Sequence, residues 1–143
     1  MKGSCRCGSL SYSLTAKPVV SVYCHCTQCQ RANGAVFVAA MHYSPSAFSW
    51  THAAEVTPIE EKIEGYVLFR CATCYTCAAT QIDATKNWAV RGTRLERDGE
   101  DGNIINWEEV KPTSHIYYAN RVVDVADGLP KWEGLPNKST RLD

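Results

Sequence analysis

One short segment of the chain, residues 23–31 with the sequence YCHCTQCQR, carries three cysteines in the spacing C-x-C-x-x-C. A single backbone turn can direct three sulfur atoms spaced in this way toward one point. Three thiolates supply three corners of the tetrahedron that zinc prefers, and an open fourth corner is what a catalytic zinc site needs. The segment therefore predicts a zinc site formed by Cys24, Cys26 and Cys29, held rigid by the rest of the chain.

Two other residues of this segment, and one far from it, are candidates for supporting roles. His25 lies between two of the cysteines, and it is either a metal ligand or a packed histidine that points away from the metal. His25 and His115 are the candidates for a proton shuttle because histidine titrates near neutral pH; a core position for His115 is the alternative. Arg31 follows the cluster, where it would either attract an anionic substrate or form a structural ion pair.

A second group of cysteines consists of two half-sites that are distant in sequence, Cys5/Cys7 and Cys71/Cys74. Zinc sites often pair two such knuckles, and four thiolates form a closed structural site with no position for substrate. The pattern predicts a second zinc ion that holds the N-terminal strand to the region near residue 70. Cys77 is left over; it is either a free thiol or a replacement for Cys71 in a Cys74/Cys77 knuckle.

Composition excludes several classes of protein. The 143 residues suit one domain, and the formal net charge is zero with no long run of either sign, which argues against a nucleic-acid groove or a polybasic membrane patch. No apolar run approaches the roughly 20 residues that span a bilayer. The eight cysteines are too closely spaced for a disulfide framework, and the first residues show no apolar signal region. We expect a cytoplasmic protein with reduced thiols.

Alternating and apolar segments predict a mainly β domain with short helical turns. We expect strands over 9–15, 19–23, 35–43, 65–69 and 115–118, a hairpin of 79–83 with 88–95, a helix over 27–32, a helical turn over 44–48 and a loop over 97–103. No structure is assigned to residues 51–64. No internal boundary is evident, so residues 1–143 are predicted to form a single domain that ends in a polar tail, 134–143.

The cysteine spacing and its surroundings resemble a known family, the glutathione-dependent formaldehyde-activating enzymes, which share their domain with centromere protein V. The resemblance extends from residue 3 to about residue 133. It rests on GSCxCG at 3–8, YCHCxxCQR at 23–31, GAxF at 34–37, CxxC at 71–74, SHI at 114–116 and DGLP at 127–130. Tyr75 stands where the family usually has glycine, a residue suited to a positive φ, and Asn33 stands where serine is common.

The resemblance implies a fold of coiled antiparallel β-sheets organised around zinc. It assigns Cys5, Cys7, Cys71 and Cys74 to a structural zinc ion, and Cys24, Cys26 and Cys29 to a catalytic one, giving two zinc ions per chain. It implies condensation of glutathione with formaldehyde, a carbon–sulfur lyase reaction run in reverse.

Two functional hypotheses follow. The first is a zinc-dependent carbon–sulfur lyase-type enzyme, similar to S-hydroxymethylglutathione synthase, that acts on a thiol such as glutathione. A site of three thiolates favours thiol handling over polarisation of an aldehyde, because its net charge of about −1 weakens Lewis acidity. The alternative is a non-catalytic zinc-binding module for protein interaction. A fourth protein ligand at the three-cysteine site would favour this module.

Overall fold

Ten strands and two short α-helices form the regular structure of the chain, which a computed structural model describes over residues 1–143. The elements in chain order are β1 (Lys2–Ser4), β2 (Ser11–Leu14), β3 (Val20–Cys24), α1 (Thr27–Asn33), β4 (Val38–Tyr43), β5 (Phe48–Trp50), β6 (Ile59–Ile63), β7 (Tyr66–Arg70), β8 (Cys77–Ile82), β9 (Trp88–Arg91), α2 (Trp107–Val110) and β10 (His115–Ile116). The prediction of a mainly β fold with short helical turns is confirmed. Neither helix is long and apolar enough to cross a membrane.

Internal contacts divide the chain into two compact units. Unit 1 consists of Met1–Val20 and Met41–Val110, and unit 2 consists of Ser21–Ala40 and Lys111–Asp143. Each unit contains one of the two cysteine groups found in the sequence. The single domain over 1–143 stays a prediction.

Unit 1 contains a three-stranded sheet in the order β1-β2-β5 and the strand series β9-β8-β7-β6. Strand β2 shows why it forms: Tyr12 and Leu14 are buried while Ser11 and Ser13 are half-buried, which is the alternation of a strand with one face on the core. Tyr12 also explains Gly3 on the neighbouring strand, because a Cβ at that position would overlap the Tyr12 ring.

The predicted hairpin between β8 and β9 is confirmed, with Gln81 opposite Trp88 in an antiparallel pair. Strand β6 was not predicted from the sequence, and it pairs along its whole length with β7. Four of its five residues are exposed because it lies at the end of the strand series. An edge strand of this kind lacks the apolar alternation from which strands are recognised.

Unit 2 is built around β3, which forms a parallel pair with β10 in the register His115 to Tyr23. Five other strand pairs are antiparallel: β1–β2, β2–β5, β6–β7, β7–β8 and β8–β9. The apolar core of this unit is small and comprises Val22, Cys24, Val38, Ala40 and Ile116. Its interior is unusually polar, since the buried residues include His25, Ser114 and His115.

Helix α1 follows directly after the first two cysteines of the cluster in unit 2. Its extent confirms the helix predicted over 27–32, with one further residue at the C-terminal end. It ends because Gly34 adopts a left-handed conformation with φ of 57°, which glycine tolerates without steric cost. At the other end Cys26 occupies the N-cap position, and its sulfur accepts a hydrogen bond from the Cys29 backbone N–H at 3.3 Å.

Candidate metal centres

Four of the cysteines in unit 1 lie close together, and all eight cysteines of the chain are free thiols. The sulfur atoms of the first group, Cys5, Cys7, Cys71 and Cys74, all lie within 4.8 Å of one another. The Cys5–Cys7 and Cys7–Cys71 sulfur pairs are separated by 3.6 and 3.7 Å. A tetrahedral zinc ion with Zn–S bonds of about 2.3 Å places its sulfurs about 3.8 Å apart. This donor set fits a closed zinc site.

Two backbone turns aim these four sulfurs. In the first turn the Cys5 N–H donates to the Leu10 carbonyl, and the Gly8 N–H donates to the Cys5 carbonyl. In the second turn the Tyr75 N–H donates to the Cys71 carbonyl, and Tyr75 has a positive φ of 60°. The resemblance leads one to expect glycine at this position, and Tyr75 adopts the left-handed conformation that glycine favours.

The surroundings of these thiols favour deprotonation of two of them. Burial acts to raise the pKa of Cys71, but hydrogen bonds from Ser9 Oγ and from backbone N–H groups outweigh it and lower the pKa to about 7. Burial is likewise outweighed at Cys74, where hydrogen bonds from the side chain and backbone of Thr76 lower the pKa to about 5. Burial raises the pKa of Cys5 to about 11. The thiolate is the form of cysteine that binds metal. A metal cation bound here would displace the protons that remain on the other thiols of the group.

Cys77 lies outside this group. Its thiol donates to the Ala79 carbonyl at 3.3 Å and lies 3.7 Å from the Thr80 hydroxyl. The structure thus brings Cys71 rather than Cys77 together with Cys74 and the N-terminal pair.

The second group of thiols lies in unit 2 and contains Cys24, Cys26 and Cys29, whose sulfur atoms also lie within 4.8 Å of one another. No fourth cysteine, histidine or carboxylate ligand atom belongs to this group. Hydrogen bonds from the Cys24 and Cys29 thiols, together with backbone N–H groups at the start of α1, lower the pKa of Cys26 far below its usual range. Hydrogen bonds to the sulfurs of Cys26 and Cys29, together with burial, raise the pKa of Cys24. The donor set fits a metal ion with one position left for another ligand.

His25 is fully buried and is not part of the three-thiol group. Its ring packs against Phe37 and Tyr118, with centroid distances of 4.9 and 5.0 Å. Burial, followed by the charges of His115 and Arg121, lowers the pKa of His25 to about 4. His25 is therefore neutral at pH 7, which weakens its case as a shuttle that titrates near neutrality.

A chain of hydrogen bonds connects His25 to a carboxylate. Asp127 Oδ2 lies 2.8 Å from His115 Nε2, and His115 Nδ1 lies 2.8 Å from His25 Nε2. A carboxylate accepts the Nε2 proton of His115, so in the neutral pair His115 Nδ1 accepts from His25 Nε2–H. This assignment leaves a lone pair on His25 Nδ1, a buried atom without a hydrogen-bond partner.

Asp127 is held in turn by its own neighbours. Its other carboxylate oxygen accepts from the Leu129 backbone N–H at 3.1 Å and from Lys131 Nζ at 3.3 Å. Burial acts to raise its pKa, but the bonds from His115, Leu129 and Lys131 lower the pKa to about 2. The carboxylate is therefore ionised at neutral pH, as the tautomers above require.

Gln30 and Arg31, adjacent residues on α1, have different surroundings. The Gln30 side-chain amide lies within hydrogen-bond distance of the His25, Val36 and Asn120 carbonyls, at 2.9 to 3.3 Å. It thus connects the segment of the three-thiol group to Asn120, in the C-terminal segment of unit 2. Arg31 is exposed in the last turn of α1 and forms no ion pair, so a structural ion pair is not its role.

Two residues of this arrangement were not recognised from the sequence as parts of the site. Gln30 follows the third cysteine directly, and Asp127 opens the DGLP segment; both belong to motifs that were noted without a role. Their bonds join positions 90 and 12 residues apart, to Asn120 and His115 respectively. Spacing along the chain carries no signal for such pairs.

The fold and the two thiol groups define a mainly β protein with two cysteine sites that could each hold a metal ion. The chain belongs to the family described as glutathione-dependent formaldehyde-activating enzyme, whose model matches residues 1–120. Asp127 lies beyond the matched residues.

Among solved structures, the chain is similar to a crystal structure of a Rhodobacter sphaeroides protein. The two share 24% sequence identity with a TM-score of 0.50, and the match covers 79% of this chain and 100% of the other. At this identity the likeness bears on the fold alone. No curated protein matches the chain.

Proposed function

We propose that the chain is a zinc-dependent carbon–sulfur lyase-type enzyme that acts on glutathione or a similar thiol and formaldehyde. The observation that carries this proposal is the three-thiol group of Cys24, Cys26 and Cys29, which has three ligands and no fourth. Membership of the family gives the proposed reaction its substrate class. The four-thiol group is the proposed structural site, because four thiolates leave no position for substrate.

The proposed reaction joins a thiol sulfur to the carbonyl carbon of an aldehyde. The thiol loses its proton and the carbonyl oxygen gains one, so the reaction needs no oxidant or reductant. When bound by the three cysteines, zinc would favour the deprotonated form of a thiol at its open position. Catalytic metals of this kind contribute several kcal/mol to lowering a barrier.

The chain's own residues supply the setting for this chemistry. Arg31 is an exposed cation two residues after Cys29 on α1, without an ion-pair partner, and it would attract an anionic thiol such as glutathione. His25 holds its proton at Nε2 toward His115, so its contribution is to fix the backbone between Cys24 and Cys26 rather than to titrate. Asp127 and His115 orient His25, and Gln30 holds the His25 carbonyl.

The test is the rate at which the protein accelerates exchange between ¹³C-formaldehyde and its glutathione adduct, measured by ¹³C NMR. We expect zinc-loaded wild-type protein to accelerate the exchange and Cys26→Ser to lose that acceleration. Cys77→Ser is the matched control, because this thiol lies outside both groups, and it should retain the wild-type rate.

X-ray absorption at the zinc edge distinguishes the enzyme from an interaction module. We expect the average coordination to gain sulfur when glutathione is added to the zinc-loaded protein. A folded, zinc-loaded protein that neither accelerates exchange nor changes its coordination would overturn the proposal in favour of the non-catalytic module.

A further inference from the structure

Unit 1 contains a cleft of about 420 Å³ that has no part in the proposed reaction. One wall is formed by β1 and the residues after it, and the other by residues 93–97. Backbone contacts hold these walls together: the Glu96 N–H donates to the Lys2 carbonyl at 2.9 Å, and Gly3 forms an antiparallel bridge with Leu95. The cleft is therefore a fixed feature of the sheet edge rather than a gap between loose side chains.

Positive charge is concentrated in this cleft. Its lining includes Lys2, Arg6, Arg94 and Arg97 against one carboxylate, Glu96, so four positive charges less one negative charge give a balance of +3. None of the four cations forms a salt bridge, whereas other cations of the chain, such as Arg70 and Lys131, pair with carboxylates. In a chain of zero net charge, unpaired cations gathered around one cleft favour an anionic ligand.

The floor of the cleft covers a buried hydroxyl without a partner. Gly3 lies in the lining, and a Cβ there would overlap the hydroxyl end of Tyr12. Tyr12 is completely buried, and its hydroxyl forms no hydrogen bond. A buried donor without a partner is costly, and glycine at position 3 leaves the room that this hydroxyl occupies.

We propose that this cleft binds a small anion carrying a phosphate group. The guanidinium groups of Arg6 and Arg94 can each form paired hydrogen bonds with phosphate oxygens, and Lys2 adds a point charge. Arg97 donates from Nη1 to the Gly102 carbonyl at 2.8 Å and contributes its charge and its other N–H groups. The volume suits a small organic ligand. Cys5 also lines the cleft; zinc with four thiolates would carry a charge of −2, and the balance of +3 would remain positive at +1.

The test is an NMR titration of ¹⁵N-labelled, zinc-loaded protein with inorganic phosphate at constant ionic strength. We expect saturable shifts of backbone amides in residues 2–6 and 93–97. The double variant Lys2→Gln/Arg94→Gln should weaken binding about tenfold or more, because it removes two charge-assisted contacts. Lys62→Gln removes an exposed cation of the same unit outside the cleft, and it should bind phosphate as the wild type does.

Two further measurements complete the test. Glu96→Gln removes the single carboxylate and should tighten binding severalfold, which keeps the proposal testable if the double variant does not fold. A parallel titration with glucose 6-phosphate assigns the ligand: tighter binding than inorganic phosphate indicates an organic phosphate, and equal binding indicates the free ion. Unsaturable shifts, shifts centred outside the two walls, or equal weakening by Lys62→Gln would overturn the proposal. None of these outcomes bears on the exchange reaction proposed above.

Discussion

The two thiol groups of this protein are built in opposite ways. In unit 1, Cys5 and Cys7 meet Cys71 and Cys74, so the group joins segments more than 60 residues apart. In unit 2, the three cysteines come from one six-residue stretch that ends in the first turn of α1. A metal in the first group would close a long loop, while a metal in the second would be held by a turn that forms locally.

The surroundings of the two groups differ in the same sense. Unit 1 packs its group against an apolar core that includes Tyr12, Met41 and Val90. Unit 2 has few buried apolar side chains and instead buries His25 and His115 in a hydrogen-bonded chain. Apolar packing with a cross-linking metal stabilises a fold, whereas a hydrogen-bonded polar network fixes the orientation of particular groups. This difference supports the proposed structural role of the first group and the proposed positioning role of the second.

The largest expected effect is on stability, from Cys71→Ser. Removing one ligand from the four-thiol group should release its metal, and structural zinc binding contributes directly to folding. We expect a loss of several kcal/mol in the free energy of unfolding, or insoluble protein, together with loss of one zinc ion by elemental analysis. Cys5→Ser should behave in the same way. Melting temperatures equal to wild type for both variants would show that this group does not stabilise the fold.

The next effect is on activity, from Cys26→Ser. Because this group is local and the four-thiol group remains intact, the variant should keep most of its melting temperature and lose one zinc ion. The rate of formaldehyde–glutathione exchange should fall by a factor of about 10² or more, as expected for loss of a catalytic metal. Melting curves and zinc content measured beside those of Cys5→Ser decide the comparison, since equal large losses of stability would assign both groups to structure.

A smaller effect is expected from Asp127→Ala, which removes the acceptor for His115 Nε2. The loss should be about 1 kcal/mol in the free energy of unfolding, because this carboxylate is partly exposed. Long-range ¹H–¹⁵N correlation spectra of the histidine rings provide the specific readout. We expect the His115 and His25 tautomers to change in Asp127→Ala. They should also change in Asp127→Asn, because its single amide oxygen accepts from Leu129 N–H and Lys131 Nζ and its amide N–H group then faces His115 Nε2. Unchanged ring signals in the alanine variant would remove the orienting role.

An effect of similar size concerns Tyr43 in unit 1, whose buried hydroxyl has no hydrogen-bond partner. Burial raises the pKa of Tyr43 to about 12. The unfolded chain ionises near pH 10, so this group's contribution to stability is fully present below pH 10 and is lost as the pH rises toward 12. Tyr43→Phe should reduce that alkaline loss and stabilise the protein by about 1 kcal/mol at pH 7.

Denaturant unfolding of Tyr43→Phe and wild type at pH 7, 10 and 11.5 checks this expectation. A variant less stable than wild type at pH 7 would mean that the Tyr43 hydroxyl makes a stabilising interaction. It would contradict the description of the unit 1 core as apolar.

Local sequence determined those parts of the protein in which a few neighbouring residues fix the geometry. The C-x-C-x-x-C segment brings its sulfurs together through one turn, the helix after it begins at Thr27 and ends at a left-handed Gly34, and the β8–β9 hairpin follows from alternation around a turn. The pairing of Cys5/Cys7 with Cys71/Cys74 was also predictable, because a closed zinc site needs two knuckles with this spacing.

Tertiary structure alone decided the contacts that join distant, polar or exposed residues. The parallel pairing of β10 with β3 places His115 beside Tyr23 and lets it reach His25, and Asp127 completes the chain from a loop. Hydrogen bonds of this kind leave no periodicity in the sequence, because each depends on where the backbone folds rather than on the neighbours of the residue. Strand β6 was missed for a related reason. An exposed edge strand is held by backbone hydrogen bonds, and because its side chains face water they show no apolar alternation.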